Sequence, residues 1–171
     1  MDVLLSRDEI ATAVARIGQQ ITKDYAGQSI LLLGVLKGAC MFLSDLARKI
    51  ELNATFDFIA VRSYGAQKES GGEVQLIKDV TTPLHGQHII LVEDILDTGL
   101  TLTFLKKTLM AHQPKSLKIA ALLDKPSRRK ADIQADYVGF QIPDKFVVGY
   151  GLDHAERFRN LPDICVLNEG E

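Results

Sequence analysis

His88-Ile89-Ile90-Leu91-Val92-Glu93-Asp94-Ile95-Leu96-Asp97-Thr98-Gly99-Leu100-Thr101 is the stretch whose reading decides the fold. His88 to Val92 is a short, almost wholly apolar run, the pattern of a strand covered on both faces of a sheet. Two adjacent acids, Glu93 and Asp94, stand at its end. A turn containing Gly99 then opens a helix expected over Leu100 to Ala111. Such a turn can aim several backbone N–H groups at one point, and the start of a helix adds roughly half a positive charge there.

An anion fits that description, and the hydroxyls of Thr98 and Thr101 can donate to it as well. Glu93 and Asp94 would repel a phosphate but can accept hydrogen bonds from sugar hydroxyls beside one. Cradle and carboxylate pair together describe a ribose 5-phosphate. A plainer reading stays open, in which Asp97 and Thr98 cap the helix and the two acids are solvated strand-end charges. Neither GxxxxGK[ST] nor GxGxxG occurs in the chain, so this is not a Walker or dinucleotide loop.

Working outward toward the amino end, Ser6-Arg7-Asp8-Glu9 is a capping box, and Ile10, Val14, Ile17 and Ile21 follow on one helical face. Gly27 ends that element. Ile30 to Leu36 is a second buried-type strand, interrupted by Lys37-Gly38. Ala39 to Ile50 returns to helical spacing, with Phe42, Leu43, Leu46 and Ile50 on one face. Thr55 to Ser63 is rich in β-branched and aromatic residues, as a strand requires. Tyr64 to Glu73 is polar and glycine-containing, the signature of a loop, and Val74 to Val80 follows as a strand.

Toward the carboxyl end, Leu117 to Leu123 predicts another strand. Tyr137 to Leu167 has short apolar runs broken by Pro143, Gly149, Gly151 and Pro162, which predicts an irregular region with little helix. Strands alternating with helices imply right-handed crossovers: an α/β fold with a mainly parallel twisted sheet flanked by helices. We expect one domain over residues 1–171, with a core of roughly 27–136 and a small hood from the amino-terminal segment and roughly 137–171. Ligands of such sheets bind beyond the carboxyl ends of the strands.

The 171 residues are 46% apolar, enough for one core, and the formal net charge is only -2. That balance argues against a general nucleic-acid binder, which needs a basic stripe to displace counterions. No signal peptide is visible, and the longest apolar stretch, Ile30 to Leu36, is far shorter than the roughly 20 residues that span a bilayer. Cys40 and Cys165 stand far apart in apolar surroundings, as two buried thiols of a reduced cytoplasmic protein would. No CxxC, HExxH or cysteine–histidine cluster suggests zinc.

Val92 to Thr101 resembles the motif by which type I phosphoribosyltransferases bind phosphoribosyl pyrophosphate (PRPP). The chain is further similar to the hypoxanthine–guanine branch of that family. The likeness lies in Gly34-Val35-Leu36-Lys37-Gly38, Arg62-Ser63-Tyr64-Gly65, Leu123-Asp124-Lys125-Pro126 and Pro143 to Asp153, in the family's order and spacing from residue 30 to 167. The resemblance implies the type I phosphoribosyltransferase fold with its hood, and an enzyme that joins a 6-oxopurine to PRPP in purine salvage.

It also implies roles. Glu93 and Asp94 would hold the ribose hydroxyls, while Asp97, Thr98, Gly99, Leu100 and Thr101 cradle the 5′-phosphate. Asp97 would be the general base at the purine N7, and its carboxylate would also favour the positive charge that develops on the transferred ribosyl. Lys37, Gly38 and Arg159 would meet pyrophosphate, the guanidinium through its planar fork. Lys125 would donate to the purine 6-oxygen, Phe146 would stack on the base and the Val147 backbone would bond its edge. An ammonium has donors and no acceptor, so adenine is expected to be a poor substrate. Asp153 would belong to the purine site as well and would join Glu93 and Asp94 around Mg²⁺, which prefers oxygen ligands and bridges phosphates. Ser63 and Tyr64 match lid residues that would shield the site from water. A homodimer or homotetramer is implied, with neither nucleic acid nor membrane as partner.

One departure stands out: some relatives carry lysine where this chain has Leu100, so backbone groups and threonines must do more in this loop. Two rival readings remain on sequence: a regulator of the same fold that binds RNA or DNA, and an enzyme that takes xanthine or a pyrimidine. Against the regulator stand Asp97 and Lys125 and the lack of any added helix-turn-helix or basic arm.

Overall fold

Ser6 starts the first helix by the expected exchange of bonds: its Oγ accepts from the Glu9 N–H at 3.3 Å, and Glu9 Oε2 accepts from the Ser6 N–H at 2.8 Å. Residues 1–64 and 73–168 are described in the computed structural model. The helix, α1 (Arg7–Asp24), buries Ile10, Val14, Ile17 and Ile21, and Gly27 with φ +77° turns the chain into β2 (Ile30–Leu36). A shorter helix, α2 (Cys40–Ala47), then leads to β3 (Ala54–Tyr64), and β4 (Glu73–Lys78) runs back beside it.

Three further strands complete the main sheet. β5 (His88–Leu96) is followed by α3 (Leu100–Met110), β6 (Ser116–Asp124), a single 3₁₀ turn at Pro126–Arg128, and β7 (Tyr137–Gln141). The six strands lie in the order β4-β3-β2-β5-β6-β7; only the β3–β4 pair is antiparallel. The mainly parallel α/β architecture is therefore the one expected. β1 (Asp2–Leu5), β8 (Val147–Val148) and β9 (Ile164–Val166) form a separate antiparallel sheet in the order β1-β9-β8.

Alternation along the central strands divides the core into two layers. Ile30 and Leu32 of β2, with Ile90 and Val92 of β5, pack with the apolar faces of α1 and α2. Leu31, Leu33 and Val35, with Ile89 and Leu91, pack against Leu102, Leu105 and Leu109 of α3. Each buried apolar side chain of this kind contributes roughly 1.5–3 kcal/mol, so both faces of β5 anchor the strand that carries the acids.

Several boundaries differ from the sequence expectation, each for a local reason. β5 does not stop at Val92: β6 accompanies it further, pairing Leu123 with Ile95 and Asp124 with Leu96, so the ladder continues past Glu93 and Asp94. α2 ends at Ala47, earlier than Ile50, although Ile50 remains buried after the turn. Tyr137–Gln141 is the edge strand of the main sheet, so the sheet reaches past residue 136. Cys165 is buried but Cys40 is exposed, because it opens α2 on its outer side.

Asp57 of β3 fastens the segment that returns from β4. Its carboxylate accepts from the N–H groups of Phe58 at 2.7 Å, Thr81 at 2.9 Å and Thr82 at 3.0 Å. Burial works against the charged form, yet these backbone donors win and hold the carboxyl well below the usual range. A depressed carboxyl adds stability above its unfolded value of 3.8 and loses it as pH falls below that. Asp57→Asn should therefore cost about 1–3 kcal/mol in urea denaturation near pH 7. The gap to wild type should narrow on acidification; a gap independent of pH contradicts the assignment.

Candidate active site

β5 lies between β2 and β6 in the sheet, and the chain leaves its carboxyl end in a turn toward α3. A cavity of about 290 Å³ opens there, lined by Glu93, Asp94, Asp97, Thr98, Gly99 and Thr101 among others. The turn works because Gly99, the residue before α3, has φ +84°, a left-handed conformation that glycine adopts without a Cβ clash. A Cβ at this position would also fall 2.5 Å from the Ile133 side chain. Gly99, at the N-cap of α3, has no side chain to cap the helix, and among the described residues the one side-chain bond at its start is a long one, from the Leu100 N–H to Thr98 Oγ1 at 3.4 Å. The first N–H groups of α3 therefore keep most of their capacity for an anion.

The opposite side of the loop is tied to the segment after β6. The Asp97 carbonyl accepts from Arg129 Nε at 3.1 Å, and the Thr98 carbonyl accepts from the N–H groups of Lys130 at 2.8 Å and Ala131 at 3.2 Å. Arg129 is itself held by the Ile133 carbonyl at 2.7 Å and by the Asp124 carboxylate. With these carbonyls occupied, the loop offers donors rather than acceptors to the cavity. The Asp97 side chain is not a helix cap; Arg128 Nε donates to its Oδ1 at 2.9 Å.

Glu93 is buried, at 7% exposure, and Asp94 adjoins it. Burial, and the charge of Asp94 beside it, push the Glu93 carboxyl well above the ordinary carboxylate range. Burial also raises Asp94, although its bonds from Glu93 and the Ile95 N–H, and the positive charge of Arg159, oppose the shift. No ion pair to Glu93 forms among the described residues. Two close carboxylates thus lie at the cavity with little positive charge to balance them.

Lys37-Gly38 and the hood close over this pair. The Leu36–Lys37 peptide is cis. A Cβ on Gly38 would lie 1.8 Å from Asp94 Oδ2, so only glycine permits this approach. Gly151, with φ +98°, is in turn pressed on the Gly38 carbonyl, where a Cβ would come to 2.1 Å. Lys37 Nζ bonds Glu156 at 2.8 Å. Arg159 Nη1 donates to the Gly151 carbonyl at 2.7 Å, and Nη2 lies 3.0 Å from Asp153. Arg159 Nε is buried with no hydrogen-bond partner among the described residues, an unused donor beside the acids. Asp153 also accepts from the Glu156 N–H at 2.8 Å, and no cluster of three or more metal-binding side chains forms among the described residues.

Lys125 follows β6 directly, its N–H bonded to the Leu96 carbonyl at 2.9 Å. It is 7% exposed, yet its ammonium makes no hydrogen bond or ion pair among the described residues. Phe146 is not core: its ring is 53% exposed, edge-on to His154. Val147 lies in β8, the outer strand of the small sheet, so one edge of its backbone is unpaired by strand. Leu100 is exposed and adds no charge to the loop. The Ser63 and Tyr64 side chains, and residues 65–72 of the expected lid, lie outside the described residues. Sequence reasoning missed Arg128 and Arg129. Their signal was slight: two adjacent basic residues just beyond Lys125-Pro126.

Comparison with known proteins gives a consistent picture. The phosphoribosyl transferase domain family matches residues 2–155. The chain is 52% identical to the hypoxanthine-guanine phosphoribosyltransferase of Bacillus subtilis, over 96% of this chain and 92% of that protein. Identity to the Staphylococcus aureus protein of the same name is 48%, over 97% and 93% respectively. A crystal structure of a hypoxanthine-guanine phosphoribosyltransferase from Bacillus anthracis, with HEPES in its active site, is similar with TM-score 0.94 at 49% identity. It covers 98% of this chain and 99% of that one.

The raised carboxyl of Glu93 has a measurable consequence. A carboxyl raised above its unfolded value of 4.5 costs nothing below that pH and destabilises increasingly as pH rises toward the folded value. Glu93→Gln should therefore raise the thermal midpoint of the ligand-free protein at about pH 8 and leave it near wild type at about pH 4. A lower midpoint at the higher pH contradicts this electrostatic picture.

Proposed function

The chain belongs to the phosphoribosyl transferase family, among its hypoxanthine–guanine members, and on that premise we propose that it transfers the 5-phosphoribosyl group of PRPP to hypoxanthine or guanine. The bond from ribose C1′ to the pyrophosphate oxygen breaks, the bond from C1′ to purine N9 forms, and pyrophosphate leaves. The observation that carries this reading is an amide-lined loop and a poorly compensated carboxylate pair, Glu93 buried and Asp94 half-buried, on one strand, β5. The first suits a phosphate, the second suits ribose hydroxyls and a cation.

Within this proposal the N–H groups and hydroxyls from Thr98 to Thr101 hold the 5′-phosphate. Glu93 and Asp94 accept from the ribose hydroxyls. Asp97 takes the proton from purine N7 as the C1′–N9 bond forms, and its negative charge favours the oxocarbenium character of the ribosyl group. Lys37, the Gly38 backbone and Arg159 receive the pyrophosphate; the partnerless Nε of Arg159 supports that role. Lys125 donates to the 6-oxygen, a role supported by the burial of the residue and by an ammonium that has no partner among the described residues. Phe146 stacks on the base, and Val147 bonds its edge. Ser63 and Tyr64 would belong to a lid that keeps water from the reacting carbon.

Mg²⁺ fits this donor set. It takes one or two carboxylates together with substrate phosphates and several waters, and so needs no preformed cage of protein ligands. Glu93, Asp94 and Asp153 would hold it, and it would neutralise charge on the departing pyrophosphate. A cytoplasmic homodimer or homotetramer engaged in purine salvage completes the proposal.

Two measurements test it. In competition for labelled PRPP with Mg²⁺ present, hypoxanthine and guanine should exceed adenine and uracil by about 10³-fold or more in kcat/KM, because the wrong base leaves the lysine unpaired. Comparable use of adenine contradicts the role of Lys125, and preference for xanthine or uracil favours the rival substrate class. Asp97→Asn should lower kcat by about 10²–10⁴-fold with the KM for PRPP changed by less than about threefold. Equal losses in turnover and PRPP affinity contradict the base assignment.

A further inference from the structure

Arg128 occupies the end of the 3₁₀ turn at Pro126–Arg128, immediately beyond the proposed purine-reading lysine. Its Nε donates to Asp97 Oδ1 at 2.9 Å. On its other side, Nη1 lies 3.8 Å from Asp144 Oδ2, in the segment that leads to Phe146 and β8. Asp97 Oδ2 accepts no hydrogen bond among the described residues. One carboxylate oxygen is therefore pinned and the other is presented.

Stability gives little reason for this arrangement. The Arg128 and Asp97 side chains are 45% and 38% exposed, and ion pairs this open to water contribute little to folding. The neighbouring Arg129 already ties the loop backbone through the Asp97 carbonyl. Arg128 adds a constraint on the side chain alone. A base that must meet a proton along one direction gains when a third group fixes its rotamer.

We propose that Arg128 is a positioning residue for Asp97: it holds Oδ1 so that Oδ2 faces the purine proton, and through Asp144 it links the base to the segment that carries Phe146. The inference rests on the reading of Asp97 as general base. Arg128 touches neither reacting atom in this role and acts only through the carboxylate.

A double-mutant cycle tests this with the full-length protein, PRPP, Mg²⁺ and hypoxanthine. Arg128→Ala should lower kcat about tenfold while the KM for PRPP stays within about twofold. In the Asp97→Asn background the same change should lower kcat by less than about twofold, because no carboxylate remains to be aimed. Arg128→Met, which keeps the aliphatic stem of the side chain but has no donor for Asp97 Oδ1, should behave as Arg128→Ala does and serves if the alanine variant folds poorly. The proposal is overturned if the loss appears undiminished in the Asp97→Asn background, if it falls on the KM for PRPP, or if turnover of both Arg128 variants equals wild type. Unchanged kcat in Asp97→Asn alone overturns the base assignment first and this inference with it.

Discussion

The carbonyl oxygens of Asp97 and Thr98 are taken up by Arg129, Lys130 and Ala131, and the character of the whole cavity follows from that. A backbone turn carries as many acceptors as donors, and left alone it would present both to a ligand. By occupying the acceptors from behind, residues 129–131 make the turn a donor surface. The helix start of α3 adds its amides to the same side. This solution suits a loop without a basic side chain, since Leu100 contributes no charge.

The acids on β5 show the opposite economy. Glu93 is buried, and Asp94 half-buried beside it, where apolar residues would have stabilised the sheet better. The strand tolerates them because both of its faces are anchored upstream, by Ile90 and Val92 on one side and Ile89 and Leu91 on the other. Gly38 lets the backbone approach Asp94 where any Cβ would collide, and Gly151 lets the hood approach Gly38 in turn. Stability invested in the core is thus given up at the cavity, which is where a cation and a sugar would recover it.

Much of this was legible in the sequence. β2 is continuous and apolar, so its bounds at Ile30 and Leu36 could be read directly, and the capping box at Ser6 marked the start of α1. The end of β5 could not be read, because two acids look like the end of a strand until a neighbour, β6, is known to accompany them to Leu96. The edge strand Tyr137–Gln141 was hidden among glycine and proline breaks, and only its pairing with β6 assigns it to the main sheet. At the site, the motif from Val92 to Thr101 made the family legible, and the reading of Asp97 as a helix cap fell to its bond with Arg128. Arg128 and Arg129 could not be seen in advance. Their meaning lies in contacts about 30 residues back along the chain, which no local pattern encodes.

The most direct test of the account is a crystal structure of the protein with a 6-oxopurine mononucleotide and Mg²⁺. The account predicts phosphate oxygens on the N–H groups of the Thr98–Thr101 turn, ribose hydroxyls on Glu93 and Asp94, and the 6-oxygen on Lys125. Phosphate bound away from that turn, with the nucleotide seated in another part of the fold, would contradict it.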